Sequence, residues 1–167
     1  MTWMKREINK FTTMKNILIA LDYAPNAQKV AEMGYSIGEN NSSSITLLHV
    51  VSHPSYYGNS DYDPIMGFGG YLNLDAKSPD ILNEVKEASQ NYLNQTKQHL
   101  GDATIHTIVA EGNVAETILQ IAKEQHADII VMGSHSKRWL ENILMGSITE
   151  QVLHHTSIPL YIIPTKK

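Results

Sequence analysis

The residues best suited to chemistry lie between Gly133 and Ser147, directly after a run of apolar residues. This stretch begins with GSHS at positions 133–136 and ends with Gly146 and Ser147, where a helical pattern begins. Glycine lets a backbone approach a ligand closely, and the start of a helix presents N–H groups and the positive end of a dipole. Together these features predict an anion site that wraps around the phosphates of a nucleotide.

The same residues allow a simpler interpretation, because a glycine and a serine before a helix also form an ordinary turn and N-cap. Ser147 and Glu150 have the spacing of a capping box. The phosphate-loop pattern G-x-x-x-x-G-K-[ST] does not occur in the sequence. The dinucleotide pattern G-x-G-x-x-G does not follow the first predicted strand, where the chain reads DYAP at 22–25. The phosphate prediction therefore depends on where the fold places this loop.

Other polar residues are weaker candidates for chemistry. Asp22 directly follows the first apolar run, and a hydrogen bond to a ribose is favoured over a role as general base because no acid–base partner is visible nearby. His135 could contact a phosphate or be a solvated loop residue. His49 is expected to be structural, and the pair His154 and His155 lacks a third metal ligand. Without a convincing base or arginine finger, any ATP turnover is expected to be slow.

Five short apolar runs rich in β-branched residues predict the strands that position these residues. The runs are Asn16–Leu21, Ser44–Val50, Thr104–Val109, Asp128–Met132 and Pro159–Ile163. The first, second and fourth are nearly continuous, which is typical of strands buried on both faces of a parallel sheet. Between the runs, apolar residues recur at helical spacing, with faces that begin at Ala27, Ile81, Val114 and Ile148.

Capping residues support two of these helices. Ser78 followed by Pro79 is a good N-cap with proline at the first helical position. Asn113 and Glu116 have the spacing of a capping box, although the box proper starts with serine or threonine. Both sites mark helix starts that agree with the apolar spacing.

Strands that alternate with helices predict a doubly wound α/β domain, with a five-stranded parallel sheet and helices on both faces. Two strand orders, 2-1-3-4-5 and 3-2-1-4-5, are consistent with this pattern, which does not choose between them. Either order places the ligand crevice beyond the carboxyl ends of the strands. In the second order the crevice lies between strands one and four, whose loops begin at Asp22 and Gly133. The domain spans 14–167, and residues 1–13 are expected to form a disordered arm.

Bulk composition excludes several classes of function. The chain has 167 residues and a net charge of −4, and it shows no basic stripe, so no nucleic-acid partner is expected. The absence of cysteine excludes disulfides, thiolate catalysis and Cys-ligated zinc, and fits a cytoplasmic protein, which we expect. No apolar run approaches the roughly 20 residues that span a bilayer, so no membrane insertion is expected.

One segment, 53–78, has neither a strand nor a helix pattern in most of its length. It contains several tyrosines and one phenylalanine among glycines. A loop this long in a compact domain is usually functional or disordered. It is either a surface insertion or an arm that uses aromatic residues to contact a partner.

Taken together, these residues resemble the universal stress protein family, whose nucleotide-binding members carry G-x2-G-x9-G-[S/T]. Gly133, the nine-residue spacer Lys137–Met145, Gly146 and Ser147 all match this motif. NILIALDYAPNA near the start, ITLLHVV in the second strand and AEGNVAETI before the third helix are also similar to the family. The resemblance covers about residues 15–164.

The resemblance implies strand order 3-2-1-4-5, a Rossmann-like fold, and a homodimer in which Pro159–Ile163 pairs with its twin. It also implies ATP, or AMP or ADP, in the crevice, with Mg²⁺ carried by the phosphates. Asp22 would lie near the ribose or adenine, and Val50 would offer backbone groups to the adenine. The ribose and phosphates would be held by Gly133, Ser134, Gly146, Ser147, Ile148 and Thr149. His135 and Ser136 belong to the same loop and complete the implied nucleotide-binding set.

The sequence departs from the family pattern at two positions. Ser136 stands where the motif has its second glycine, which costs on the order of 1–2 kcal/mol if that position needs a positive φ. Ala24 stands where the family often has serine, and a weaker helix start is expected. Because some family members lack the glycines and do not bind ATP, an interaction module without nucleotide is the alternative function. An ATP-dependent enzyme is a third possibility, although the chain lacks the SGG-x-D-S loop of pyrophosphatases with a similar fold.

Overall fold

A computed structural model of the chain describes residues 14–39, 43–52, 79–134 and 146–165. Three of the segments discussed above lie outside these described residues. They are the predicted arm 1–13, the tyrosine- and glycine-containing segment 53–78, and the stretch 135–145 that includes His135 and Ser136.

Five strands and four helices alternate along the described part of the chain. The strands are β1 (Asn16–Ala20), β2 (Ser44–Val51), β3 (His106–Glu111), β4 (Ile129–Gly133) and β5 (Leu160–Ile163). The helices are α1 (Ala27–Glu39), α2 (Pro79–Leu100), α3 (Val114–Glu124) and α4 (Ser147–His155). The predicted start of α2 at Pro79 is confirmed. Asn113 is the N-cap of α3, and its side chain accepts a hydrogen bond from the N–H of Glu116.

The third strand begins later than predicted, at His106 instead of Thr104. The carboxylate of Asp102 accepts hydrogen bonds from the backbone N–H and the hydroxyl of Thr104, at 2.8 and 2.6 Å. Side-chain bonds of this kind compete with the strand ladder for the local backbone. They hold the residues before His106 in a turn, so the β-branched Thr104 does not join the strand.

The five strands form one parallel sheet in the order β3-β2-β1-β4-β5. This order confirms the 3-2-1-4-5 arrangement and excludes 2-1-3-4-5. Strand β1 pairs with β2 on one side and β4 on the other. The direction in which strands are added to the sheet therefore reverses between β1 and β4. Ligands of open α/β sheets bind at such a point, outside the carboxyl ends of the strands.

Helices cover both faces of the sheet, because alternate residues of each strand point to opposite sides. One face packs on α1 and α2, and its buried side chains include Ile19, Leu47, Val131 and Leu93. The other face packs on α3 and α4, and its buried side chains include Leu18, Leu48, Ile130, Ile118 and Val152. The two apolar layers confirm the doubly wound prediction. Among the described residues, no helix combines the length and apolar character needed to cross a membrane.

A left-handed residue that is not glycine lies just after the C-cap of α3, and it offers a test of local backbone strain. His126 has a φ of 49°. Its N–H donates to the carbonyl of Lys123, and the N–H of Ala127 donates to that of Ala122, at 3.1 and 2.9 Å. Glycine is the usual residue at this position because it has no Cβ. We expect His126→Gly to raise the free energy of unfolding by about 0.5–1 kcal/mol, measured by urea denaturation.

A matched control is available in α4. His154 lies within a helix and is largely exposed, so His154→Gly is expected to lower the free energy of unfolding by about 0.3–0.5 kcal/mol. The two His→Gly changes should therefore have opposite signs. A loss of stability in His126→Gly would show that the left-handed backbone there is not strained.

Candidate functional site

The crevice between β1 and β4 brings together two loops that are more than a hundred residues apart in the chain. Ala20 lies beside Met132 in the sheet, so Asp22 and Gly133 leave the same edge next to each other. Asp22 is exposed, and its carboxylate oxygen Oδ1 accepts the N–H of Ala24 at 3.0 Å. This short-range bond turns the chain toward α1 and sets the direction of the aspartate side chain.

The packing around the end of β4 requires a glycine at position 133, whether or not a ligand binds there. A Cβ at this position would lie 3.0 Å from Cγ2 of Thr165 and 3.2 Å from Cγ2 of Val30. Both neighbours are stiff β-branched side chains, so they can yield little space. The glycine therefore allows close contact between the end of β4, helix α1 and the chain after β5.

Ser134 continues this contact on the side of β5. Its N–H donates to the carbonyl of Ile163 at 2.9 Å, and its Oγ accepts the N–H of Thr165 at 3.2 Å. A hydroxyl that accepts one bond keeps its own hydrogen for donation. Ser134 is thus fixed in place and can still donate to a ligand oxygen.

Helix α4 begins differently from the prediction. The N-cap is Gly146, with φ −71° and ψ 153°, and its carbonyl accepts the N–H of Glu150 at 2.9 Å. Ser147 is therefore the first helical residue, and its interpretation as N-cap of a capping box was wrong. Because glycine has no side chain, it cannot cap the first N–H groups of the helix, and an anion can take that role.

Thr149 ties the start of α4 to the end of β4. It is 3% exposed, and its Oγ1 donates to the carbonyl of Gly133 at 2.9 Å. The hydroxyl hydrogen is therefore used within the protein, and the backbone N–H is the group of Thr149 that could donate to a phosphate. Ile148, partly buried, packs on the apolar layer beneath α3 and α4. These contacts hold the helix N-terminus at the edge of the crevice.

Val50 lies on β2 just beyond the end of β1. The last bond between these strands runs from the N–H of Leu21 to the carbonyl of Leu48, at 2.9 Å. The N–H and C=O groups of successive residues in a strand point alternately to its two neighbouring strands. The N–H and C=O of Val50 therefore point to the same side as the N–H and C=O of Leu48. They are therefore directed toward the side of β1, beyond its last bonded residue, where a planar base could meet them.

Three aromatic rings, which we call the aromatic cluster (Tyr23, His49 and Tyr92), pack beside the turn after β1. The ring of Tyr23 lies 4.6 Å from that of His49 and 4.7 Å from that of Tyr92. Burial lowers the pKa of His49, against the opposing effect of its bond to Leu21. Burial raises the pKa of Tyr92 to about 12, with a further contribution from the charge of Asp22. His49, which was predicted to be structural, is buried and bonded to the carbonyl of Leu21, and sequence reasoning missed both tyrosines.

A cavity of about 140 Å³ lies at the opposite end of the sheet and does not belong to this site. Its walls come from the amino ends of the strands and include Asn16, Ser44 and His106. Its lining has no lysine or arginine to balance a phosphate. In the described part of the chain, no three His, Asp or Glu residues are grouped to hold a metal ion. His154 and His155 are both exposed on α4.

Comparison with known proteins identifies relatives along nearly the whole chain. The model of the universal stress protein family matches residues 13–164. The chain is 26% identical to universal stress protein MJ0577 of Methanocaldococcus jannaschii over 91% of its own length and 96% of the relative's. It is 30% identical to universal stress protein A homolog 2 of Coxiella burnetii, over 84% of this chain and 88% of that protein.

Solved structures share the fold. The structure of MJ0577 superposes with a TM-score of 0.69 over 93% of this chain and 99% of that one, at 26% identity. A universal stress protein from Archaeoglobus fulgidus, solved in complex with dAMP, superposes with a TM-score of 0.56 over 89% of this chain and 97% of that one. At 18% identity the second likeness shows a common fold only.

Proposed function

Because this chain belongs to the universal stress protein family, we propose that it is a regulatory or sensing protein that binds an adenine nucleotide, ATP or its di- or monophosphate, between β1 and β4. One observation carries the proposal. The bond from Thr149 to Gly133 holds the N-terminus of α4 at the same sheet edge as the exposed Asp22. The N-terminus of α4, which carries a partial positive charge, and the negatively charged side chain of Asp22 thus lie on the two sides of one crevice.

The two ends of the crevice suit different parts of a nucleotide. The N–H groups at the start of α4 can donate to phosphate oxygens, and Ser134 and the exposed Ser147 can add hydroxyl donors. The carboxylate of Asp22 repels phosphate and only accepts hydrogen bonds, so it suits a ribose hydroxyl or an amino group. We therefore orient the phosphates toward Ser147 and the nucleoside toward Asp22, with Mg²⁺ carried by the phosphates.

Adenine matches the main chain of Val50, and guanine does not. A backbone carbonyl accepts and a backbone N–H donates, which matches the amino group and ring nitrogen of adenine. Guanine carries a carbonyl in place of that amino group, so it would face an acceptor with an acceptor. The complex of the Archaeoglobus fulgidus relative with dAMP supports an adenine nucleotide as the ligand.

The proposal extends to a homodimer that acts in the cytoplasm in adaptation to stress. Strand β5 is an edge of the sheet, and Tyr161 on it is 41% exposed. An unpaired strand edge invites pairing with another strand. A second copy of this chain, paired through residues 159–163, would cover both the edge and this aromatic side chain.

Selection of adenine tests the proposal. We expect GTP to bind about five- to hundredfold more weakly than ATP, because one unmatched hydrogen-bonding group in a built site costs about 1–3 kcal/mol. Equilibrium dialysis with labelled ATP and unlabelled competitors measures this ratio. Inorganic tripolyphosphate is the control for phosphate binding alone. Equal competition by ATP, GTP and tripolyphosphate would overturn the assignment of Val50 and of adenine.

A further inference from the structure

The turn that carries Asp22 is held by two side chains from other parts of the fold. The carbonyl of Leu21 lies 2.8 Å from Nδ1 of His49 on β2. The next carbonyl, that of Asp22 itself, accepts the hydroxyl of Tyr92 on α2 at 3.0 Å. These bonds begin where the ladder between β1 and β2 ends. Side chains therefore hold the backbone beyond the last main-chain hydrogen bond between β1 and β2.

The hydrogen-bonding roles in this contact are fixed by chemistry. A carbonyl can only accept, so Nδ1 of His49 carries the proton and donates. A tyrosine hydroxyl is protonated at neutral pH and a carbonyl has no hydrogen to give, so Tyr92 is the donor to Asp22. The ring of Tyr23 contacts the rings of both donors, His49 and Tyr92, and restricts their movement. His49 is only 8% exposed, so water competes little for its bond.

We propose that His49 and Tyr92 are positioning residues, which hold the turn after β1 so that the carboxylate of Asp22 receives the nucleoside part of the ligand. This inference rests on the proposed function. Neither residue needs to touch the nucleotide, because both act through the carbonyls of Leu21 and Asp22. A turn fixed before the ligand arrives loses less freedom on binding, and this strengthens affinity.

Asp22 is restrained at two points, one on its main chain and one on its side chain. Tyr92 holds its main-chain carbonyl, and the N–H of Ala24 holds Oδ1 of its carboxylate. Loss of the first bond should loosen the turn and, with it, the second bond. The amide of Ala24 thus reports on the turn whether or not a ligand is present.

Tyr92→Phe tests the proposal, because it removes one hydroxyl and keeps the ring that packs on Tyr23. We expect the dissociation constant for ATP to rise about two- to tenfold, the equivalent of one hydrogen bond. In a chain that already carries Asp22→Ala, the same change should have no further effect. Tyr35→Phe is the matched control, since its hydroxyl bonds Asp102 away from the crevice, at 3.3 Å. It should leave ATP affinity unchanged.

Hydrogen exchange of the Ala24 amide, measured by NMR without ligand, provides a second readout. We expect it to be about two- to tenfold faster in Tyr92→Phe than in the wild type. Weakening of ATP binding by equal factors with and without Asp22→Ala would overturn the inference, because it would indicate a general effect. Unchanged exchange would also overturn it. If the wild type binds no ATP, the proposed function fails, and the exchange rate still decides whether Tyr92 holds the turn.

Discussion

Replacing Ser147 with aspartate is expected to weaken nucleotide binding by roughly a hundredfold or more without loss of stability. Ser147 is the exposed first residue of α4, where the proposed phosphates lie. A new carboxylate about 5 Å from a phosphate charge costs about 3 kcal/mol at an effective dielectric constant of about 20. Since each 1.4 kcal/mol is tenfold, ATP affinity should fall by roughly a hundredfold or more. Equilibrium dialysis with labelled ATP measures this loss.

The same substitution should leave the stability of the fold unchanged or increase it. A negative side chain in the first turn stabilises a helix by about 0.3–1 kcal/mol, and repulsion from Glu150 in that turn reduces this gain. The free energy of unfolding should therefore stay equal or rise. Ser147→Asn, a neutral side chain of the same shape, is the control and should retain most of the affinity. Undiminished ATP binding by Ser147→Asp would show that the phosphates lie elsewhere.

The largest loss of stability is expected for Leu93→Ala. Leu93 is fully buried on α2, in the apolar layer that this helix shares with α1 and the sheet. Truncation of a buried leucine costs about 2–5 kcal/mol, because apolar contacts are lost and a cavity remains. For a domain of this size the melting temperature should fall on the order of 10 °C, as measured by differential scanning calorimetry.

Leu153 in α4 provides a matched control for this truncation. It is also a helical leucine, but it is 45% exposed. Leu153→Ala should change the free energy of unfolding by no more than about 0.5 kcal/mol. Equal losses in the two variants would mean that the apolar layer beneath α2 is not packed as described.

The class of fold could be predicted from the sequence because its signal is local. Runs such as that at 16–21 are apolar at nearly every residue, which indicates burial on both faces, and helical spacing fills the intervals between them. Strand order is a different matter. Both candidate strand orders bury the same residues, so the pattern of apolar residues cannot choose between them. The order 3-2-1-4-5 was predicted only from the resemblance to a family. The start of β3 was missed because the carboxylate of Asp102 redirects the backbone at Thr104.

The candidate site could be predicted only in outline. Glycine and serine at the start of α4 were visible as residue types, but cap position depends on which carbonyl accepts the first helical bond. That carbonyl belongs to Gly146. The contact of Tyr92 with Asp22 joins residues 70 positions apart, and Tyr92 also fits the apolar face of its helix. Nothing in local spacing distinguishes a tyrosine that packs from one that also donates to a turn.

Isothermal titration calorimetry of the wild-type chain with Mg-ATP tests the central claim most directly. We predict saturable heat with one nucleotide bound per chain, accompanied by a rise in melting temperature, because a ligand that binds only the folded state stabilises it. Absence of both heat and thermal stabilisation at millimolar Mg-ATP would contradict nucleotide binding between β1 and β4. That result would instead favour a family member that acts through protein interactions alone.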